Sequence, residues 1–156
     1  MPPFHSKPPK AEPMPHLSSP YAPLSWGELL DKITILEIKR ARIADPAAHA
    51  NVMRELALLE ALGADALRQA DVLGLQAKLR DTNEALWEVE DAIRAEERAG
   101  RFGERFVALA RAVYQRNDER AAIKRRINDL LGSPLVEEKS YTPYRATALP
   151  TAATAG

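Results

Sequence analysis

Apolar residues recur at intervals of three and four along most of this chain and nowhere alternate with polar residues for long, which predicts helices and no strands. Helix 1 opens at Ser25, where Ser25 and Glu28 form a capping-box pattern, each side chain reaching a backbone N–H that has no partner inside the helix. Trp26, Leu29, Leu30, Ile33, Leu36 and Ile43 carry it to about Ala44. Asp45-Pro46 ends that run and starts helix 2, with Asp45 as cap and Pro46 at the first helical position. Val52, Met53, Leu56, Leu59 and Leu62 form the apolar stripe of helix 2, and Gly63 is read as its C-terminal stop.

Leu75, Leu79, Leu86, Val89 and Ile93 place helix 3 over residues 72–99, and Gly100 and Gly103 bracket a tight reversal. Phe106, Leu109, Val113, Ile127 and Leu131 place helix 4 over residues 104–131, closed by Gly132-Ser133-Pro134. The expected fold is all-α: an antiparallel bundle of a long hairpin (helices 3 and 4) and a shorter one (helices 1 and 2) at one end. Prolines crowd residues 1–24, so that segment reads as a disordered arm. The bundle domain is expected over 25–141, and 142–156 reads as a second disordered tail. Leu135–Tyr141 mixes apolar and charged residues after the helix stop, a pattern that suits a segment folding back along the bundle, with Tyr141 over a groove.

The interruptions of the apolar stripes are more informative. Taking 100° per residue, Glu37 and Arg40 fall about 40° and 20° from Ile33 on helix 1. On helix 3, Asn83 and Glu90 fall about 40° and 20° from Leu79; on helix 4, Asn117, Arg120 and Lys124 fall within about 40° of Val113. A turn centred between Arg101 and Phe102 levels Asn83 with Arg120. Charge inside a bundle is costly unless paired or liganded. Two readings follow. Arg120 offers a planar donor fork, Lys124 a point charge, and Asn83 and Asn117 neutral hydrogen bonds, which together suit a small anionic ligand, with Arg40 closing the site and Glu37 and Glu90 orienting the cations or serving as acid or base. Alternatively, the seven residues form a buried polar network of ion pairs that specifies helix register.

Composition narrows the classes. Lys+Arg and Asp+Glu both number 22, so the formal net charge is zero, which argues against nonspecific nucleic-acid binding. There is no cysteine, so disulfides, thiolate catalysis and cysteine-ligated metals are ruled out. No run approaches the roughly 20 apolar residues of a membrane span, and prolines break any secretory-signal pattern, so a cytoplasmic protein with no membrane insertion is expected. His5, His16 and His49 are scattered, no metal-ligand spacing appears, and no cofactor is implied.

The stretches Ser25-Trp-Gly-Glu-Leu-Leu-Asp-Lys-Ile-Thr-Ile-Leu-Glu-Ile-Lys39, Leu86-Trp-Glu-Val-Glu-Asp-Ala-Ile-Arg94 and Asn117-Asp-Glu-Arg-Ala-Ala-Ile-Lys-Arg-Arg-Ile-Asn128 resemble an uncharacterised bacterial family of small helical proteins, as does Leu135–Tyr141. The resemblance covers about residues 25–141. It implies the same all-helical fold, assigns no activity, and points toward cell-surface polysaccharide assembly. The expectation is therefore a non-enzymatic interaction or accessory protein acting as a homodimer or with a protein partner. The alternative is a binding protein or enzyme for a small anionic metabolite.

Overall fold

Local signals start and stop each helix, and the computed structural model, which describes residues 17–144, follows them closely. The helices are α1 (Trp26–Arg42), α2 (Pro46–Gly63), α3 (Ala70–Arg98) and α4 (Glu104–Leu130), with a single 3₁₀ turn at Ala66–Arg68. Ser25 Oγ accepts from the Glu28 N–H at 3.2 Å and Asp45 Oδ2 from the Ala48 N–H at 2.8 Å, which satisfies donors that the first turns of α1 and α2 cannot pair internally.

The long helices end in Schellman motifs. Gly100 and Gly132 sit at φ 64° and 60°, where a side chain would be strained. Arg101 N–H then reaches back to Glu96 O, and Ser133 N–H to Asn128 O. α2 ends at Gly63, the expected stop, but without a left-handed φ there. It is the last residue of α2, buried, and a Cβ there would stand 3.1 Å from Ile33 Cδ1, so it lets α1 and α2 approach closely.

α3 and α4 form the long hairpin, joined through residues 99–103, and α1 crosses its front, touching α2, α3 and α4. The apolar core is Leu29, Leu30, Ile33 and Leu36 of α1 against Val52 and Leu56 of α2, Val72, Leu75 and Leu79 of α3, and Ile123 and Ile127 of α4. At 1.5 Å per residue, α3 runs about 43 Å and α1 about 25 Å, so α1 covers only part of the hairpin. The outcome is visible in burial: between residues 87 and 122 only Glu96 is buried. Residues 17–24 form no helix or strand and are exposed. The rest of the expected arm (1–16) and residues 145–156 of the expected tail lie outside the described residues.

Candidate functional site

α1 is buried on two sides. Its Leu30–Ile33 side meets α2, while Gly27, Asp31, Thr34 and Ile38, at i, i+4, i+7 and i+11, face the hairpin and are all buried. α1 comes close against α4 at Gly27, where a Cβ would lie 2.5 Å from Lys124 O and 3.0 Å from Asn128 Oδ1. The end of α4 in turn caps α1: Asn128 Oδ1 accepts from Gly27 N–H at 2.6 Å and Ser133 Oγ from Trp26 N–H at 3.3 Å. With Ser25 on Glu28, the first three donors of α1 are all satisfied by side chains.

One turn further along, Asp31 is the hub of the buried polar set. Its carboxylate, with 2% of the side chain exposed, accepts Arg120 Nε at 2.9 Å and Arg120 Nη2 at 2.5 Å, and Asn83 Nδ2 at 2.9 Å. Asn83 Nδ2 also donates to Thr34 Oγ1 at 2.9 Å, and Thr34 donates to Asp31 O at 2.8 Å. Arg120 Nη1 reaches Asn117 Oδ1 at 3.4 Å, while Asn117 Nδ2 is tied to Val113 O. The hydrogen bonds that Arg120 donates to Asp31 raise its pKa against the opposing effect of burial, so it stays charged.

Lys124, with 9% of its side chain exposed, donates to Glu28 at 2.6 Å and to Glu137 at 2.7 Å, and lies 4.0 Å from Asp31. Burial pulls its pKa down, but the hydrogen bonds to Glu137 and Glu28 outweigh that and leave it raised. The same bond from Lys124 lowers the pKa of Glu137. Glu137 belongs to the segment after α4, which turns back along that helix: Tyr144 meets the Tyr114 ring edge-on at 4.7 Å and hydrogen-bonds Asp118. Tyr141 lines the groove between this strap and α4 and is itself exposed.

Of the seven residues singled out in the sequence, the structure brings together Asn83, Asn117, Arg120 and Lys124. Glu37 and Arg40 lie apart, and Glu90 borders the set without bonding to it. Glu37 is paired with Arg80 at 3.2 Å. Arg40, in the last turn of α1 where α2 is only beginning, is exposed and does not reach Arg120 across the helix. Glu90 pairs with Arg94 at 3.2 Å and borders a groove of about 490 Å³ beside Asn83, Asn117, Arg120, Trp87 and Ile38. The sequence reading missed the acceptors that unite the set: Asp31, Glu28, Thr34 and Glu137. The signal was present as the stripe Gly27-Asp31-Thr34-Ile38, small or polar for three of its four positions.

Three carboxylates (Glu28, Asp31 and Glu137) thus surround two cations, and no buried side-chain nitrogen or oxygen among the described residues lacks a hydrogen-bond partner. Arg120 and Lys124 are thus each paired with carboxylates of the protein itself. Among the described residues, no group of three or more histidine or acidic side chains is placed to hold a metal ion, and no helix is long and apolar enough to cross a membrane.

A family model described as a family of unknown function (DUF6165) matches residues 22–156, and the chain belongs to that family. The match extends past the 25–141 stretch that carries the resemblance, through residue 156. No curated protein and no solved structure matches the chain.

Proposed function

We propose that this member of the family of unknown function is a non-enzymatic interaction protein whose working surface is the outer half of the α3/α4 hairpin, with a homodimer or a helical protein partner as its occupant. The observation that carries this reading is the uncovered arm. The α4 segment Phe106-Val-Ala-Leu-Ala-Arg-Ala-Val-Tyr114 is apolar around its whole circumference except at Arg111, yet none of its residues is buried. A helix apolar on all sides is normally enclosed by neighbours, and here α3 and the strap leave much of it open. Phe102 and Val107 are more than half exposed at the arm's outer end. The buried polar set at the base, on this reading, holds α1, the hairpin and the strap in register.

The cell-surface polysaccharide pathway and a cytoplasmic location are part of the proposal. The first is supported by the family resemblance of the three quoted stretches; the second is put forward beside the finding that no helix among the described residues is long and apolar enough to cross a membrane. The test is a photo-crosslinking amino acid placed at Val107 on the arm and, as control, at exposed Arg68 near the base. An adduct formed in the producing cell at Val107 and not at Arg68 is expected. No adduct, or equal adducts at both positions, would overturn the reading.

The groove beside Arg120 supports a second reading, a small anionic metabolite held by Asn83, Asn117 and Arg120. Arg120 keeps 28% of its side chain exposed. A thermal-shift screen with anionic metabolites on wild type and Arg120→Ala checks it: a ligand at about 100 times its Kd stabilises by about 2.7 kcal/mol, and no shift with any of them removes the reading.

A further inference from the structure

One face of α3 lines the groove beside Arg120: Asn83, Leu86, Trp87, Glu90, Asp91 and Arg94 recur there at helical spacing. Two of its hydrogen-bonding groups are left unspent by the buried network. Asn83 is only 5% exposed, and its Nδ2 is fixed by Asp31 Oδ1 and Thr34 Oγ1, so its Oδ1 points the other way. Nothing among the described residues donates to that oxygen. Every fully buried side-chain oxygen among them has a partner, so Asn83 Oδ1 reaches the surface, and the surface that Asn83 lines is the groove. Arg120 turns Nε and Nη2 to Asp31 and reaches Asn117 with Nη1, which leaves one N–H on each Nη, an edge directed away from Asp31. The two groups stand side by side, because Asn83 Nδ2 and Arg120 Nε both donate to Asp31 Oδ1 at 2.9 Å.

We propose that this groove binds a free α-amino acid with an apolar side chain; the proposal rests on the second reading, a small molecule held at Arg120, and gives it a chemical class. An α-amino acid carries a carboxylate and an ammonium on one carbon, and Arg120 and Asn83 offer a donor edge and an acceptor at adjacent places. The carboxylate takes the outer edge of Arg120, whose plane Asp31 fixes from the opposite side. The ammonium, which only donates, takes Asn83 Oδ1 and the Asp91 carboxylate. Asp91 is exposed and has no partner among the described residues, and Glu90 meets Arg94 through one oxygen only. Along the groove Arg94 and Arg120 stand against Glu90 and Asp91, a balance that suits a ligand carrying both signs rather than a negative one alone. Ile35, Ile38, Leu86 and Trp87 form the apolar wall for the side chain. The volume of about 490 Å³ falls in the range of small-molecule clefts, roughly 300–1,000 Å³.

Isothermal titration of the full chain with L-leucine and L-phenylalanine tests this, with the deaminated and decarboxylated form of each as matched probes (isocaproate and isoamylamine, hydrocinnamate and phenethylamine). At least one amino acid is expected to bind, and loss of either charged group from it should weaken binding by about tenfold or more. Asp91→Asn, at an exposed position without a folding contact among the described residues, should weaken the amino acid and leave the deaminated acid unchanged. Arg120→Lys keeps a cation for Asp31 and should abolish binding of both; if circular dichroism shows that variant unfolded, Asp91→Asn alone decides. Tryptophan fluorescence should change on titration and the change should vanish in Trp87→Phe, because Trp26 does not line the groove. A deaminated acid that binds as tightly as its amino acid overturns the amino-acid assignment and leaves the anion reading of the groove standing. Wild-type affinity in Asp91→Asn, or a fluorescence change that survives Trp87→Phe, likewise overturns the assignment. No binding by any of these probes overturns both.

Discussion

At the base of the hairpin, Leu75, Leu79 and Leu86 of α3 and Ile123 and Ile127 of α4 are buried beneath α1, and each charge that enters the interior meets an opposite one. Farther out, the same two helices carry Val89, Ile93, Phe106, Leu109 and Val113, and none of them is buried. Helix propensity and apolar spacing are alike in both regions; what differs is the third helix. A two-helix layer has no second face to bury its stripe against, so an arm of this length is either covered by something else or remains open. The base therefore reads as the part that makes the fold, and the arm, on the proposed function, as the part that makes contact.

Substitution should expose the contrast most sharply at Asp31. Asp31→Ala leaves Arg120 without its counter-charge in a buried site, and breaking a buried pair costs about 3–5 kcal/mol. Glu90→Ala on the arm, where Glu90 faces Arg94 at the surface, should change stability by less than about 0.5 kcal/mol. Urea denaturation at low protein concentration measures both, and equal costs would mean that the network does not hold the base.

Two glycines give a smaller pair of opposite sign. Gly27→Ala drives a Cβ into Lys124 O at 2.5 Å and should destabilise by about 1–3 kcal/mol, as overpacking does. Gly74→Ala, in α3 with nothing within 4 Å, should stabilise by up to about 1 kcal/mol through helix propensity. Thermal melts of the two variants give the signs directly.

The smallest expected effect concerns the strap. Glu137 has a lowered pKa, so its contribution is present above the ordinary glutamate value of about 4.3 and is lost as pH falls through its folded value. Lys124 has a raised pKa, so its contribution is present below about 10.4 and is lost as pH rises through the folded value. Because Glu137 is 41% exposed, the pair is screened, and Glu137→Gln should cost no more than about 1 kcal/mol at neutral pH. The difference between wild type and variant should shrink as pH drops below 4.3. A difference independent of pH would show that the strap is held by Tyr144 on Tyr114 rather than by the lysine.

Much of the fold was legible because its signals are local. Ser25, Asp45-Pro46, Gly100 and Gly132 act through the residues next to them, and apolar spacing needs only one helix at a time. The site was only half legible. Asn83, Arg120 and Lys124 lie in single stripes of α3 and α4, so counting angles from one apolar centre finds them. Asp31 lies 200° from Ile33 by the same count, on the side that becomes interior only because α1 packs between α2 and the hairpin. Arg40 fails for the converse reason: its angle is inward, but α2 is only starting at that height. Gly63 ends α2 as its sequence signature suggests, and the part not legible in the sequence is its close approach to Ile33.

Hydrogen exchange measured by mass spectrometry at two protein concentrations tests the central contrast most directly. The account predicts that amides of α1 and of residues 72–86 and 120–128 are strongly protected at both concentrations. Those of 88–114 should be weakly protected in dilute solution and gain protection as concentration rises. Protection of the arm equal to that of the base and unchanged by dilution would contradict it.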